Sequence, residues 1–120
     1  MAKQVGEDKA VEPTEPSTPK MADELIESGW NHYSRKEYFR AEADFTNALE
    51  IQPENADTMY ALGMTQQASG NTQEAIRTFE QVILFLEAQK VEDPVRSLML
   101  TRLAKGHINR MKTGSWDLDK

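Results

Sequence analysis

Residues 41–49 read AEADFTNAL and residues 74–82 read EAIRTFEQV. Set thirty-four positions apart, Ala41, Phe45 and Ala48 fall on Ala75, Phe79 and Val82, and Gly29 falls on Gly63. Within each stretch the apolar residues stand three and four apart, the spacing of one face of an α-helix. A pair of such helices is left with one apolar face too many. Stacking a second, similar pair covers that face, so repetition is itself a way to build a core.

The punctuation around these stretches predicts five helices, at about 20–35, 38–51, 56–69, 72–90 and 94–112. Asn55 and Asn71 can cap helix starts through their side-chain oxygens, and Glu74 stands three after Asn71, as in a capping box. Asp93 precedes Pro94, an acid at the cap before a proline at the first helical position. Gly70 can take the left-handed conformation that ends a helix. Nothing alternates with period two, so no strand is expected. Loops of two to five residues make consecutive helices antiparallel neighbours. The expected fold is all-α, with antiparallel helix–turn–helix repeats stacked as a short α-solenoid.

On the first helix of each pair, Leu25, Ser28, Gly29 and His32 form one stripe, matched by Met59, Leu62, Gly63 and Gln66. A residue without a Cβ lets its partner helix come close. Ala41 and Ala75 are the small residues expected to meet Gly29 and Gly63, with Phe45 and Phe79 filling the space between pairs.

Together these residues resemble the tetratricopeptide repeat, a helix–turn–helix unit of thirty-four residues. Leu25, Gly29, Tyr33, Tyr38, Ala41, Phe45, Ala48 and Pro53 carry the likeness in a first repeat. Met59, Leu62, Gly63, Ala75, Phe79, Val82 and Ile83 carry it in a second. The resulting organisation is a disordered tail over 1–20, a helical domain over 21–113 and a C-terminal tail over 114–120. Within the domain, repeats at about 22–55 and 56–90 are followed by a capping helix at 94–112.

The rhythm slips after the second repeat. Leu100, Leu103, Ala104 and His107 echo Leu25, Ser28, Gly29 and His32, but Leu100 stands forty-one after Met59. The seven extra residues are close to two helical turns, which would keep the last helix facing the same way.

Composition narrows the function. With 120 residues one domain is expected, and the absence of cysteine excludes disulfides, thiolate metal sites and cysteine nucleophiles. A formal net charge of −6 argues against nucleic acid and acidic membranes as partners. The longest apolar run, VILFL at 82–86, is too short to cross a bilayer, and no stretch reads as a signal peptide, so a cytoplasmic protein is expected. Residues 1–20 hold three prolines and no aromatic, too little to offset the entropy of ordering them. His32 and His107 fall on stripes between helices and lack converging ligands. Ser28, Ser34, Ser69, Ser97 and Ser115 stand beside no evident base, and there is no phosphate-binding loop. No enzyme, cofactor or metal is expected.

A second stripe on the first helix of each pair is the candidate site. Ile26, Trp30 and Tyr33 share a face, and Tyr60, Met64 and Gln67 repeat it. The family resemblance implies that this face lines a concave groove that holds a segment of another protein. The fifth helix is expected to add Leu98, Thr101, Lys105 and Ile108. Family members that grip acidic tails use lysines, asparagines and an arginine. The matching places here are Ile26, Trp30 and Ala61, with Leu98 or Val91 and Arg102 or Val95, so only Arg102 fits. A groove of Trp, Tyr, Ile and Met suits apolar or aromatic anchors instead. Two further expectations concern the last helices. Arg96, Arg102, Lys105, Arg110 and Lys112, with no acid among residues 94–112, form either a solvated cap face, with Arg110 and Lys112 complementing the helix C-terminus, or a face for an acidic partner. The alternative to an adaptor is a structural subunit that forms a homodimer or larger assembly through its last helices and the run at 82–86.

Overall fold

A computed structural model describes residues 19–88 and 93–116. Five helices follow one another: α1 (Pro19–Ser34), α2 (Tyr38–Ile51), α3 (Ala56–Ala68), α4 (Thr72–Ala88) and α5 (Pro94–Thr113). No strand occurs among the described residues. Each helix packs on its chain neighbour, and α3 also touches α5. This is the all-helical short solenoid expected from the repeat. Most of the expected tail, residues 1–18, lies outside the described residues, as does the expected end of the fourth helix at 89–90. Pro19 and Lys20, placed in that tail by composition, form the first turn of α1, where proline's missing N–H has no helical partner to lose.

The thirty-four-residue step is also written into the turns. After α1, the Lys36 N–H donates to the Tyr33 carbonyl at 2.9 Å and the Glu37 N–H to the His32 carbonyl at 2.9 Å. After α3, the Gly70 N–H donates to Gln67 at 3.1 Å and the Asn71 N–H to Gln66 at 2.9 Å. Both are the Schellman ending, which needs one residue in the left-handed region. Gly70 adopts it at φ 90°, and Lys36 adopts it at φ 63°. Asn55 caps α3 by accepting the Thr58 N–H at 3.1 Å. Asp93 caps α5 by accepting the Arg96 N–H at 3.0 Å.

The core has two similar clusters, one for each step of the stack. Ala41, Phe45 and Ala61 form the first, with Ile26, Tyr33 and Leu62 packed around them. Ala75, Phe79, Val82, Leu86 and Ala104 form the second, with Met59, Tyr60, Met64, Leu100 and Ile108 among their neighbours. The glycines do allow close approach, but to a different partner from the one expected. A Cβ built on Gly29 would lie 2.7 Å from Cε1 of Phe45, and one on Gly63 would lie 2.8 Å from Cε1 of Phe79. The phenyl rings, rather than Ala41 and Ala75, fill the space that the missing side chains leave.

The register of α5 also differs from the sequence reading. Ala104 joins Ala75 and Phe79 in the second cluster just as Ala61 joins Ala41 and Phe45 in the first. Gly106, two residues on, is buried under the ring of Trp116 as Gly63 is under Phe79. Both comparisons give a step of forty-three residues from the second repeat, rather than forty-one. Ala104 therefore answers to Ala61, and Gly106 answers to Gly29 and Gly63. Residues 114–116 supply the covering ring. Gly114 takes φ 83° and its N–H donates to the Arg110 carbonyl at 2.7 Å, so the chain reverses and lays Trp116 back on α5.

Candidate functional site

Trp30 stands at the centre of the first row. Its ring meets Phe45 edge-on at 5.2 Å and Tyr33 edge-on at 5.4 Å, and Tyr33 meets Tyr38 in the same manner at 5.4 Å. Aromatic pairs favour this edge-to-face arrangement because the electron-poor rim of one ring points into the face of the other. One side of Trp30 is thus anchored on a fully buried phenyl, while 40 % of the residue remains open to solvent. Ile26, half-buried, completes the row on α1.

The second row lies on α3, where Tyr60, Met64 and Gln67 are all half-buried. Tyr60 rests against Phe79 at 5.5 Å. Burial raises the Tyr60 hydroxyl above its ordinary pKa, and the nearby Tyr33 phenol adds to the rise. Tyr33 is raised by burial and then by Tyr38. Both phenols are neutral donors at physiological pH. At the other end of the rows, Ile26, Trp30, Asn55, Asp57 and Thr58 line a depression of about 240 Å³. The Thr58 hydroxyl there is buried and has no hydrogen-bond partner among the described residues.

On α5 the observed register aligns Leu103, His107 and Arg110 with Tyr60, Met64 and Gln67. His107 bears this out by contact: its Nε2 lies 2.8 Å from the Tyr60 hydroxyl, and its ring stacks on Phe79 at 4.8 Å and 3°. Burial lowers the His107 pKa, and Arg110 lowers it further, so the imidazole is held neutral. Its Nδ1 is buried without a partner among the described residues. Leu103 is 43 % exposed beside it.

The α5 residues singled out from sequence fall elsewhere. Ile108 packs against the second core cluster. Thr101 is half-buried at the place that answers to Thr58, while Leu98 and Lys105 are exposed. Of the basic face, Arg96 is already bonded to Asp57 across the step from α3 to α5. Arg110 lies 5.8 Å over the Trp116 ring. Arg102 and Lys112 are exposed. In the run at 82–86, Val82 and Leu86 are buried and Ile83 and Phe85 pack on the core, so only Leu84, 66 % exposed, faces outward.

His32 has a structural role. Its Nδ1 lies 2.6 Å from Glu37 and its Nε2 3.7 Å from Asp44, tying α1 to α2. The His32 hydrogen bond holds the Glu37 carboxyl below its ordinary pKa. Among the described residues no group of three His, Asp or Glu side chains is placed to hold a metal. No described helix is long and apolar enough to cross a membrane.

Sequence reasoning missed two features. Phe39 on α2 is 88 % exposed, on the opposite side of its helix pair from the core, and the matching residue thirty-four on is the polar Gln73. A second cavity of about 240 Å³ opens between the α2–α3 loop, the end of α4 and the start of α5, with Phe85, Leu100, Asp57 and Arg96 in its wall. The break at Gln73 was the one sequence signal for the first. The second depends on how α5 docks, which no local pattern shows.

No curated protein and no solved structure matches the chain. Residues 32–90 match the tetratricopeptide repeat, a repeat that generally mediates protein–protein interaction. With the doubled Gly–Phe packing and the doubled helix endings, this match makes residues 32–90 a tetratricopeptide repeat region.

Proposed function

We propose that this protein is a non-enzymatic interaction module that holds an apolar or aromatic segment of a partner protein along the row Ile26, Trp30, Tyr33, Tyr60, Met64 and Gln67, continued on α5 by Leu103 and His107. One observation carries the reading: Trp30 is locked edge-on against buried Phe45 yet leaves 40 % of its surface open. A rigid, partly exposed aromatic loses little entropy when a partner covers it, and such residues dominate binding energy at interfaces. The phenol of Tyr33 offers a donor to a peptide backbone, and Met64 adapts its shape to varied side chains.

The test is to pan a displayed random-peptide library on the wild-type protein and counter-select on the Trp30→Ala variant. Peptides that survive should share aromatic or large aliphatic residues. A library that enriches acidic peptides, or peptides indifferent to Trp30, would overturn the reading.

A further inference from the structure

The two ends of the stack carry opposite charge at positions that are uncharged within it. Thr58, Ala61 and Thr65 on α3 are 2 %, 1 % and 0 % exposed. Ala61 sits in the cluster that α2 builds. The same three places on α1, thirty-four residues earlier, hold Glu24, Glu27 and Asn31, all exposed. Asp23 adds a third acid beside them, and Lys20, one turn before Glu24, offsets part of that charge. At the other end, Met59 on α3 is half-buried against the second cluster, and Leu62, three residues on, is half-buried against the first. On the observed register their counterparts on α5 are Arg102 and Lys105, both exposed. Lys112 extends that basic face, and Leu98 and the Trp116 ring, 61 % and 46 % exposed, supply apolar surface on it.

We propose that copies of this chain associate head to tail, the acidic outer face of α1 on one copy docking on the basic outer face of α5 on the next. Charge of either sign would keep the end of a repeat stack soluble. Opposite signs do something more: each end repels its own kind and attracts the other. The charged pairs also match in spacing, since Glu24 and Glu27 stand three apart on one helix and Arg102 and Lys105 stand three apart on another. The occupant is argued to be a second copy because the chain itself presents both halves of the complement. Such a contact is heterologous, so it propagates rather than closing as a symmetric dimer. Exposed ion pairs contribute little each, so association is weak and sensitive to salt. The inference stands apart from the groove, which lies on a different face of α1, α3 and α5.

Sedimentation equilibrium of the full chain tests it. At ~0.01 M salt, where screening reaches only beyond ~30 Å, the weight-average mass should rise with concentration. At ~1 M, where it acts within ~3 Å, the mass should return to 13.6 kDa. Glu24→Gln/Glu27→Gln removes the head, and Arg102→Gln/Lys105→Gln removes the tail. Each variant alone should stay monomeric at low salt, and an equimolar mixture should stop at a one-to-one dimer, because only one competent head and one competent tail remain. All four side chains are exposed, and circular dichroism would verify the fold of each variant. A wild type that stays monomeric at low salt overturns the proposal. So does either variant associating as wild type does, or a mixture that gains nothing over its parts.

Discussion

The indole of Trp116 lies directly on Gly106: a Cβ built there would stand 2.6 Å from Cε3 of the ring. The pair reproduces Gly63 under Phe79 with a ring from a short C-terminal hook instead of a second helix. The hook is held by the Asn109 side chain, which donates to the Ser115 carbonyl at 2.9 Å, and Trp116 also meets His107 edge-on at 4.6 Å. Trp116→Ala should therefore lower stability by about 1 kcal/mol, the value of half-burying a large apolar side chain. Trp116→Phe should recover most of the loss. Thermal melts of the three proteins check this, and equal melting temperatures would show that the hook contributes nothing.

The two glycine slots should respond differently to being filled. Phe79 is fully buried and cannot swing away from a side chain at position 63. Gly63→Leu should cost ~3 kcal/mol, the upper part of the range for forced overpacking. Gly106→Ala meets a ring on a half-exposed hook that can lift off, so it should cost far less. Replacing a helical glycine by alanine returns up to ~1 kcal/mol, which further offsets that loss. Urea unfolding of both variants makes the comparison, and equal losses would contradict it.

Much of this architecture was legible in the sequence because it rests on local, repeated chemistry. The step from Ala41 and Phe45 to Ala75 and Phe79 gave the stack, and Asn55, Gly70 and Asp93–Pro94 marked its breaks. The register of α5 was not legible. Both Ala104 and Gly106 are small enough for the Gly29 position, and what separates them is which ring covers which residue. That ring, Trp116, comes from a segment after Gly114 with no helical period to announce it. The stripe proposed to line the groove is legible on α1 and α3, where it repeats. On α5 the sequence points to Leu98, Thr101 and Lys105, whereas the contact between Tyr60 and His107 aligns Leu103 and His107 with that stripe.

Lys36 is a place where the repeat is met imperfectly. It occupies the left-handed position that Gly70 takes after α3. The left-handed region costs an ordinary residue roughly 1–2 kcal/mol, and glycine escapes that cost while adding some entropy to the unfolded chain. Lys36→Gly should raise stability by up to about 1 kcal/mol, a gain of several degrees in a domain of this size. Lys36→Val should lower it, since a β-branched side chain tolerates this conformation poorly. Differential scanning calorimetry would show the opposite signs.

Acid should weaken the end of the stack before it reaches the carboxylates. His107 has its pKa lowered from an ordinary 6.5 by burial, then by Arg110. Below pH 6.5 the unfolded chain therefore binds a proton more readily than the folded one. The stability tied to the neutral imidazole is full above that value and declines as pH falls through it. Glu37 works in the same direction, but from an ordinary value of 4.5, so its loss comes at lower pH. Between pH 7 and 5 the fall should shrink in His107→Gln. Chemical denaturation at a series of pH values measures it, and an unchanged slope would exclude His107 as the cause.

The groove makes the last prediction, and it separates two faces that share α5. A peptide selected on the wild-type protein should lose at least ~2 kcal/mol of binding on Trp30→Ala, about a thirtyfold rise in Kd. Because Trp30 also leans on Phe45, the variant should lose some stability, so binding must be compared well below both melting temperatures. Leu103→Ala, on an exposed side chain of the same row, should weaken binding with little effect on the fold. Arg102→Ala and Lys105→Ala lie on the outer face of the stack, one short turn around the helix, and should leave affinity nearly unchanged. Calorimetric titration at low and high salt completes the test. Binding through the apolar row should change little with ionic strength, since its contacts are not screened. If the Arg102 and Lys105 variants fail while Trp30→Ala and Leu103→Ala bind normally, the peptide sits on the basic end of the stack, and the row from Ile26 to His107 is core that happens to reach the surface.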